Sequence, residues 1–148
     1  MMEKKIIPND LLLGEVSRLV AEGEKVTIMT KGVSMLPFIR GERDSVLLQR
    51  PENLAPGMIV LAYVENRRYV LHRIMSMDGD KVTLMGDGNI AGVERCRIED
   101  VKAVAVKIIS PKGETDCMSR KHLRRAAIWK SLLPVRRWIL AIYRRLFI

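Results

Sequence analysis

The sequence is poor in the residues that most often announce chemistry or a compartment. It holds two cysteines and two histidines in 148 residues, and aromatic side chains make up only 5% of it. Cys96 and Cys117 form no CxxC pair and have no histidine at ligand spacing. The expectation is two reduced thiols, no disulfide framework, no metal site and no cofactor. Long hydrophobic runs are missing too. The longest uninterrupted one is Met58–Val64, a strand's length and far short of the ~20 residues that cross a bilayer. Glu3, Lys4 and Lys5 stand at the N-terminus, but no apolar stretch of signal-peptide length follows. These absences make the cytoplasm the expected compartment. Acid is missing from the C-terminal part: residues 118–148 contain no Asp or Glu but nine of the 26 Lys/Arg, which leaves residues 1–117 electrically balanced. The net charge of +9 therefore belongs to the tail. The body gives no reason to expect nucleic acid or another acidic partner.

What is present reads as a mainly β fold between two helical ends. From about Asn9 to Glu22 the apolar residues Leu12, Val16, Leu19 and Val20 recur at helical spacing, with Asn9 as a cap and Gly23 as a stop. Six strands follow: Val26–Met29, Ser45–Gln49, Met58–Val64, Arg68–Met75, Lys81–Met85 and Val101–Ile109. They are rich in Val, Ile, Leu and Tyr and are separated by turn residues such as Pro56-Gly57, Asp78-Gly79-Asp80 and Asp87-Gly88-Asn89. The composition changes near Asp116, so we divide the chain into a body, 1–117, and a tail, 118–148.

Three segments of the body can carry chemistry. Gly32-Val33-Ser34-Met35-Leu36-Pro37 follows a strand directly, which exposes the Ser34 hydroxyl where the chain turns, and Gly32 allows close backbone approach to a substrate carbonyl. In Tyr69-Val70-Leu71-His72-Arg73-Ile74, strand alternation puts Val70, His72 and Ile74 on one face, with Leu71 and Arg73 on the other. The other histidine, His122, lies among Arg120, Lys121, Arg124 and Arg125, where a solvated role is expected; a histidine base would be His72. Leu84-Met85-Gly86-Asp87-Gly88-Asn89 offers Asp87 as the group that orients a histidine ring and stabilises imidazolium. Each segment also has a plain structural reading: loop serine, core histidine, hairpin turn.

Together the three segments resemble the type I signal peptidases, over roughly residues 24–110. The closer branch is the endoplasmic-reticulum type, which uses Ser and His where other members use Ser and Lys. The resemblance implies a coiled, mostly antiparallel β-structure shared with the SOS-type self-cleaving repressors. It implies a serine endopeptidase that cuts a leader or signal-like peptide, with Ser34 as nucleophile, His72 as base and Asp87 in support of His72. Substrate and oxyanion contacts would come from Gly32, Met35 and Pro37, and Glu94 is the one candidate for the family's second acidic residue. Many members carry a hydroxyl two places before the nucleophile; here Gly32 stands there, so backbone N–H groups would serve the oxyanion. Lys102 and Lys107 are the alternative bases. The alternative function is a non-catalytic peptide- or membrane-binding module of the same fold.

In the tail, residues 126–148 taken as one helix place Lys130, Arg136, Arg137, Arg144 and Arg145 on one half. Ile128, Leu132, Val135, Ile139, Ile142 and Leu146 fall on the other, with Trp138 and Tyr143 at the borders and Pro134 as a kink or a second start. A basic face, an apolar face and bordering aromatics suit an anionic membrane surface, which would make the protein peripheral at the membrane. Packing on the body is the competing reading.

Overall fold

A computed structural model describes residues 10–148, so the proposed cap Asn9 lies outside the described residues. The fold is mainly β, a curled antiparallel sheet with helices at both ends. Helix α1 (Asp10–Ala21) leads into β1 (Val26–Met29), β2 (Ser45–Gln49), β3 (Ile59–Val64), β4 (Arg68–Asp78), β5 (Lys81–Met85) and β6 (Glu94–Arg97). Then come β7 (Val101–Ser110), β8 (Gly113–Asp116), α2 (Arg120–Ser131) and α3 (Arg136–Phe147). The strand order is β1-β2-β7-β3-β4-β5-β6, with β8 paired to β7.

Six strands stand where alternation and turn residues placed them, with small differences at their ends. The two that escaped are β6, Glu-Arg-Cys-Arg, and β8, Gly-Glu-Thr-Asp. Both lack the apolar signature of a strand, because a sheet border is kept polar and side chains there need not be buried.

The sheet has an apolar layer on each face. Along β3, Ile59 and Leu61 point into one core with α1, β1 and β2, while Val60, Ala62 and Val64 point into the other with Val70, Val82 and Val101. Burial on both faces explains why this strand reads as an unbroken apolar run. α1 covers the first core with Leu13, Val16 and Val20, each buried aliphatic contributing roughly 1.5–3 kcal/mol. It ends at Gly23, whose φ of +96° suits a residue without Cβ.

The tail differs from one continuous helix. α2 starts earlier, where the Ser119 hydroxyl accepts the His122 N–H as an N-cap. A 3-10 turn, Leu133–Val135, then separates it from α3. Pro134 sits in the first turn, where its missing N–H leaves no helix bond unmade. The break changes the angular phase, so the single wheel for residues 126–148 does not hold: Arg136, expected on the solvated basic face, is 1% exposed. Nor does the composition boundary near Asp116 mark a gap, since Asp116 pairs with Lys107 and Cys117 lies in the first core. Among the described residues, no helix is long and apolar enough to cross a membrane.

Candidate active site

Ser34 lies in the loop after β1, and the loop is fixed from several sides. The Thr30 N–H and hydroxyl both donate to the Asp44 carbonyl, at 2.9 and 2.7 Å. Asp44 in turn accepts the Arg40 N–H at 2.8 Å. Gly32 has φ +78°, and a Cβ on Gly41 would fall 2.2 Å from its carbonyl oxygen. Both positions therefore require glycine. The Ser34 carbonyl accepts the Gly88 N–H at 2.8 Å, which ties the serine loop to the turn after β5.

His72 is 4% exposed and sits on β4 opposite Val60 of β3. The β4–β5 pairing sets Arg73 opposite Met85 and Ile74 opposite Leu84, so its continuation brings Gly86 against His72. A Cβ at Gly86 would lie 2.3 Å from the Ser34 carbonyl oxygen and 3.0 Å from His72 Nε2. The absent side chain is what lets the serine loop and the histidine ring share this space. Across the gap, the Glu94 carboxylate of β6 meets His72 Nδ1 at 2.6 Å through Oε1. Arg68 holds the other carboxylate oxygen at 3.3 Å.

The acid on the ring is therefore Glu94, and the expectation that Asp87 supports His72 is corrected. Strand alternation sends His72 and Arg73 to opposite faces of β4, and Asp87 lies on the Arg73 side. Arg73 donates Nε to Asp87 Oδ1 at 2.9 Å and Nη2 to Oδ2 at 2.7 Å, with both side chains buried. Its Nη1 donates to the Gly57 carbonyl at 2.8 Å and to His122 Nε2 at 3.2 Å. His122 is thus a buried acceptor stacked edge-on against Phe38 rather than a solvated tail residue. Burial first, then Arg73 and Arg125, push its pKa down to about 4.

The remaining residues of the expected site divide between locations. Gly32, Ser34, Met35 and His72 line one cleft of about 460 Å³. Its floor is apolar, from Leu13, Ile28, Ile39 and Leu61. Pro37 instead lines a different cleft, beside Phe38, Ser119 and His122, because the chain has by then turned toward α2. The Gly32 N–H faces both oxygens of Glu42 at 3.4 Å, so it is not an open oxyanion donor. Among the described residues, the N–H groups of Ser34 and Met35 have no partner and remain available. Met35 Sδ accepts the Asp87 N–H at 3.4 Å, a second tie between loop and turn. Lys102 and Lys107 contact the Glu99 carbonyl and the Glu114 carboxylate, away from this cleft.

Two features set the electrostatics. Desolvation lowers the His72 pKa, and the Glu94 charge opposes that shift only in part. The imidazole is therefore neutral near neutral pH, with Nδ1–H donated to Glu94 and Nε2 left as a base. No hydrogen bond joins the Ser34 hydroxyl to His72 among the described residues; such bonds commonly tighten only on substrate binding. The cysteines take no part. Cys96 and Cys117 are buried in different cores, and desolvation raises their pKa values to about 11 and about 12.

Comparison with family models and with curated proteins gives no match.

The tail meets the back of this site. Trp129 Nε1–H donates to the Asp87 carbonyl at 2.7 Å, and Arg136 Nη1 donates to the Asn89 carbonyl at 2.9 Å and to that of Gly86 at 3.5 Å. The Arg136 guanidinium also stacks 5.1 Å from the Trp129 ring. Sequence reasoning missed Arg136 because one arginine among nine basic tail residues carries no signal of burial. Glu94 had a clue, as the only acid a few positions beyond the Gly-Asp turn, but its strand was invisible.

Proposed function

We propose that this chain is a serine endopeptidase of the type I signal peptidase kind, cutting an extended leader or signal-like peptide. The observation that carries the reading is that His72 lines the same cleft as Ser34 while its Nδ1 is held by the Glu94 carboxylate. Ser34 Oγ attacks the scissile carbonyl while His72 Nε2 takes the hydroxyl proton, and Glu94 stabilises the imidazolium that forms. The N–H groups of Ser34 and Met35 receive the oxyanion. His72 then gives its proton to the leaving amine, and a water activated by the same nitrogen hydrolyses the acyl-enzyme.

Substrate placement follows from the strand edges. β1 is an outer strand, and β4 pairs with β5 only from Arg73 onward, so Arg68–Leu71 present an edge of their own. Both edges border the Ser34 cleft. An extended peptide between them gains main-chain hydrogen bonds and lays alternate side chains on the apolar floor.

The test is incubation of the purified protein with extended leader-type peptides, followed by mass spectrometry of the products. Wild type yields one defined cut. Ser34→Ala and His72→Ala each lose at least about a thousandfold in rate, while Ser131→Ala, whose hydroxyl bonds the Ile128 carbonyl on α2, keeps full activity. A protein that binds these peptides without cutting them would be the non-catalytic module, the reading that the missing Ser34–His72 hydrogen bond favours. Cleavage by Ser34→Ala at the wild-type rate would refute the enzyme.

A further inference from the structure

Helix α3 has two faces with different fates. Inward, Arg136 and Leu140 are buried and Ile139 and Tyr143 are half-buried, in a cluster with Leu36 and Trp129. Outward, Trp138, Ile142 and Leu146 are 60%, 60% and 69% exposed, and Val135 just before the helix is exposed as well. Steps of three and four residues line these side chains into one stripe along the helix. The rotation of α3 is fixed by Arg136, whose guanidinium is held by the Gly86, Asn89 and Trp129 carbonyls. The stripe cannot turn inward without pulling that charge out of its bonds. The body therefore does not cover it.

Charge decides what does. Arg137, Arg144 and Arg145 are exposed on the solvent side of the same helix, and no carboxylate pairs with them among the described residues. Residues 118–148 contain no acid at all. A second copy docked stripe to stripe would set its own arginines against these without a counter-charge. A surface carrying phosphate negative charge above hydrocarbon answers both halves of the helix at once.

We propose that α3 docks on an anionic lipid surface. Val135, Trp138, Ile142 and Leu146 enter the boundary between headgroups and acyl chains, and Arg137, Arg144 and Arg145 meet the lipid phosphates. The inference does not rest on the peptidase reading. If both hold, Arg136 makes the docked helix and the turn under His72 one piece, so the cleft is held at a fixed attitude to the membrane.

The experiment uses the full chain with vesicles of phosphatidylcholine alone, or mixed with phosphatidylglycerol, read by co-sedimentation and by tryptophan emission, to which the exposed Trp138 and the buried Trp129 both contribute. The expected result is binding to the mixed vesicles with a blue shift, and little binding to phosphatidylcholine alone. Neutralising Arg137, Arg144 and Arg145 to Gln should weaken binding by roughly a hundredfold at low salt, and by less as salt screens the charges. Ile142→Asp and, as a second variant nearer the helix end, Leu146→Asp should each weaken it by at least about tenfold, with melting temperature and soluble-peptide cleavage unchanged. Ser34→Ala should bind as wild type does. The proposal fails if the full chain ignores mixed vesicles at low salt, or if both Asp variants bind like wild type. A concentration-dependent dimer that Ile142→Asp dissolves would assign the stripe to a second copy and overturn it equally.

Discussion

An imidazole acts as a base through Nε2 only while Nδ1 keeps its proton, and the Glu94 carboxylate at 2.6 Å fixes that tautomer. Glu94→Gln should therefore lower kcat by about a thousandfold or more, since an amide cannot stabilise imidazolium, with the fold intact. Asp87→Asn should act differently. It leaves Arg73 buried without its carboxylate, which costs on the order of 3 kcal/mol in stability. A large fall in melting temperature, not a rate loss in folded protein, is expected; the reverse pattern would return Asp87 to the catalytic pair. The pH profile tests the base itself. Desolvation lowers the His72 pKa below 6.5, so kcat/KM should be on its plateau near neutrality and fall only as pH drops through that lowered value. A rate that climbs only in the range of lysine titration would name a lysine instead.

At the scale of elements, α2 carries a pH-sensitive contact to the sheet. His122 is held neutral by burial and by Arg73, with its pKa lowered from 6.5 to about 4. Between those values the unfolded chain binds a proton that the folded chain does not, so folding stability falls as pH drops from 6.5 toward 4 and levels off below. The shift corresponds to at most about 3 kcal/mol. His122→Gln should flatten that segment of the stability curve, measured by denaturant melts at several pH values. An unchanged slope would show that His122 is not held neutral. The same helix places Trp129 on the Asp87 carbonyl, and α3 places Arg136 beneath the Gly86–Asn89 turn. The two tail helices thus brace the turn that is bonded to the Ser34 carbonyl and lies beside the His72 ring.

For the whole molecule, this bracing makes the body dependent on its tail. Leu36, Trp129 and Leu140 form one buried cluster, and removing residues 117–148 exposes Leu36, opens the first core at Cys117 and leaves the Arg73–Asp87 pair uncovered. A chain ending at Asp116 should therefore melt far below the full-length protein and lose peptide cleavage even in solution. Cleavage at the full rate by this shortened chain would show that the body is self-sufficient. The curled sheet itself serves the site by bringing two strand edges, β1 and the first half of β4, to opposite sides of one cleft.

The sequence by itself determined the elements with a periodic apolar signature: α1, six of the eight strands, and the turns at glycine. It singled out Ser34 and His72 because a serine after a strand and a histidine within one are visible in one dimension. Tertiary structure alone decided the partners. Asp87 and Glu94 are equally plausible acids in sequence, and only the pleat of β4, which sends His72 and Arg73 to opposite faces, assigns Glu94 to the ring and Asp87 to the guanidinium. The tail's composition marked it as amphipathic. Which arginine is buried depends on the phase change at Pro134 and on carbonyls some fifty residues away in the chain, and no local pattern encodes a partner at that distance.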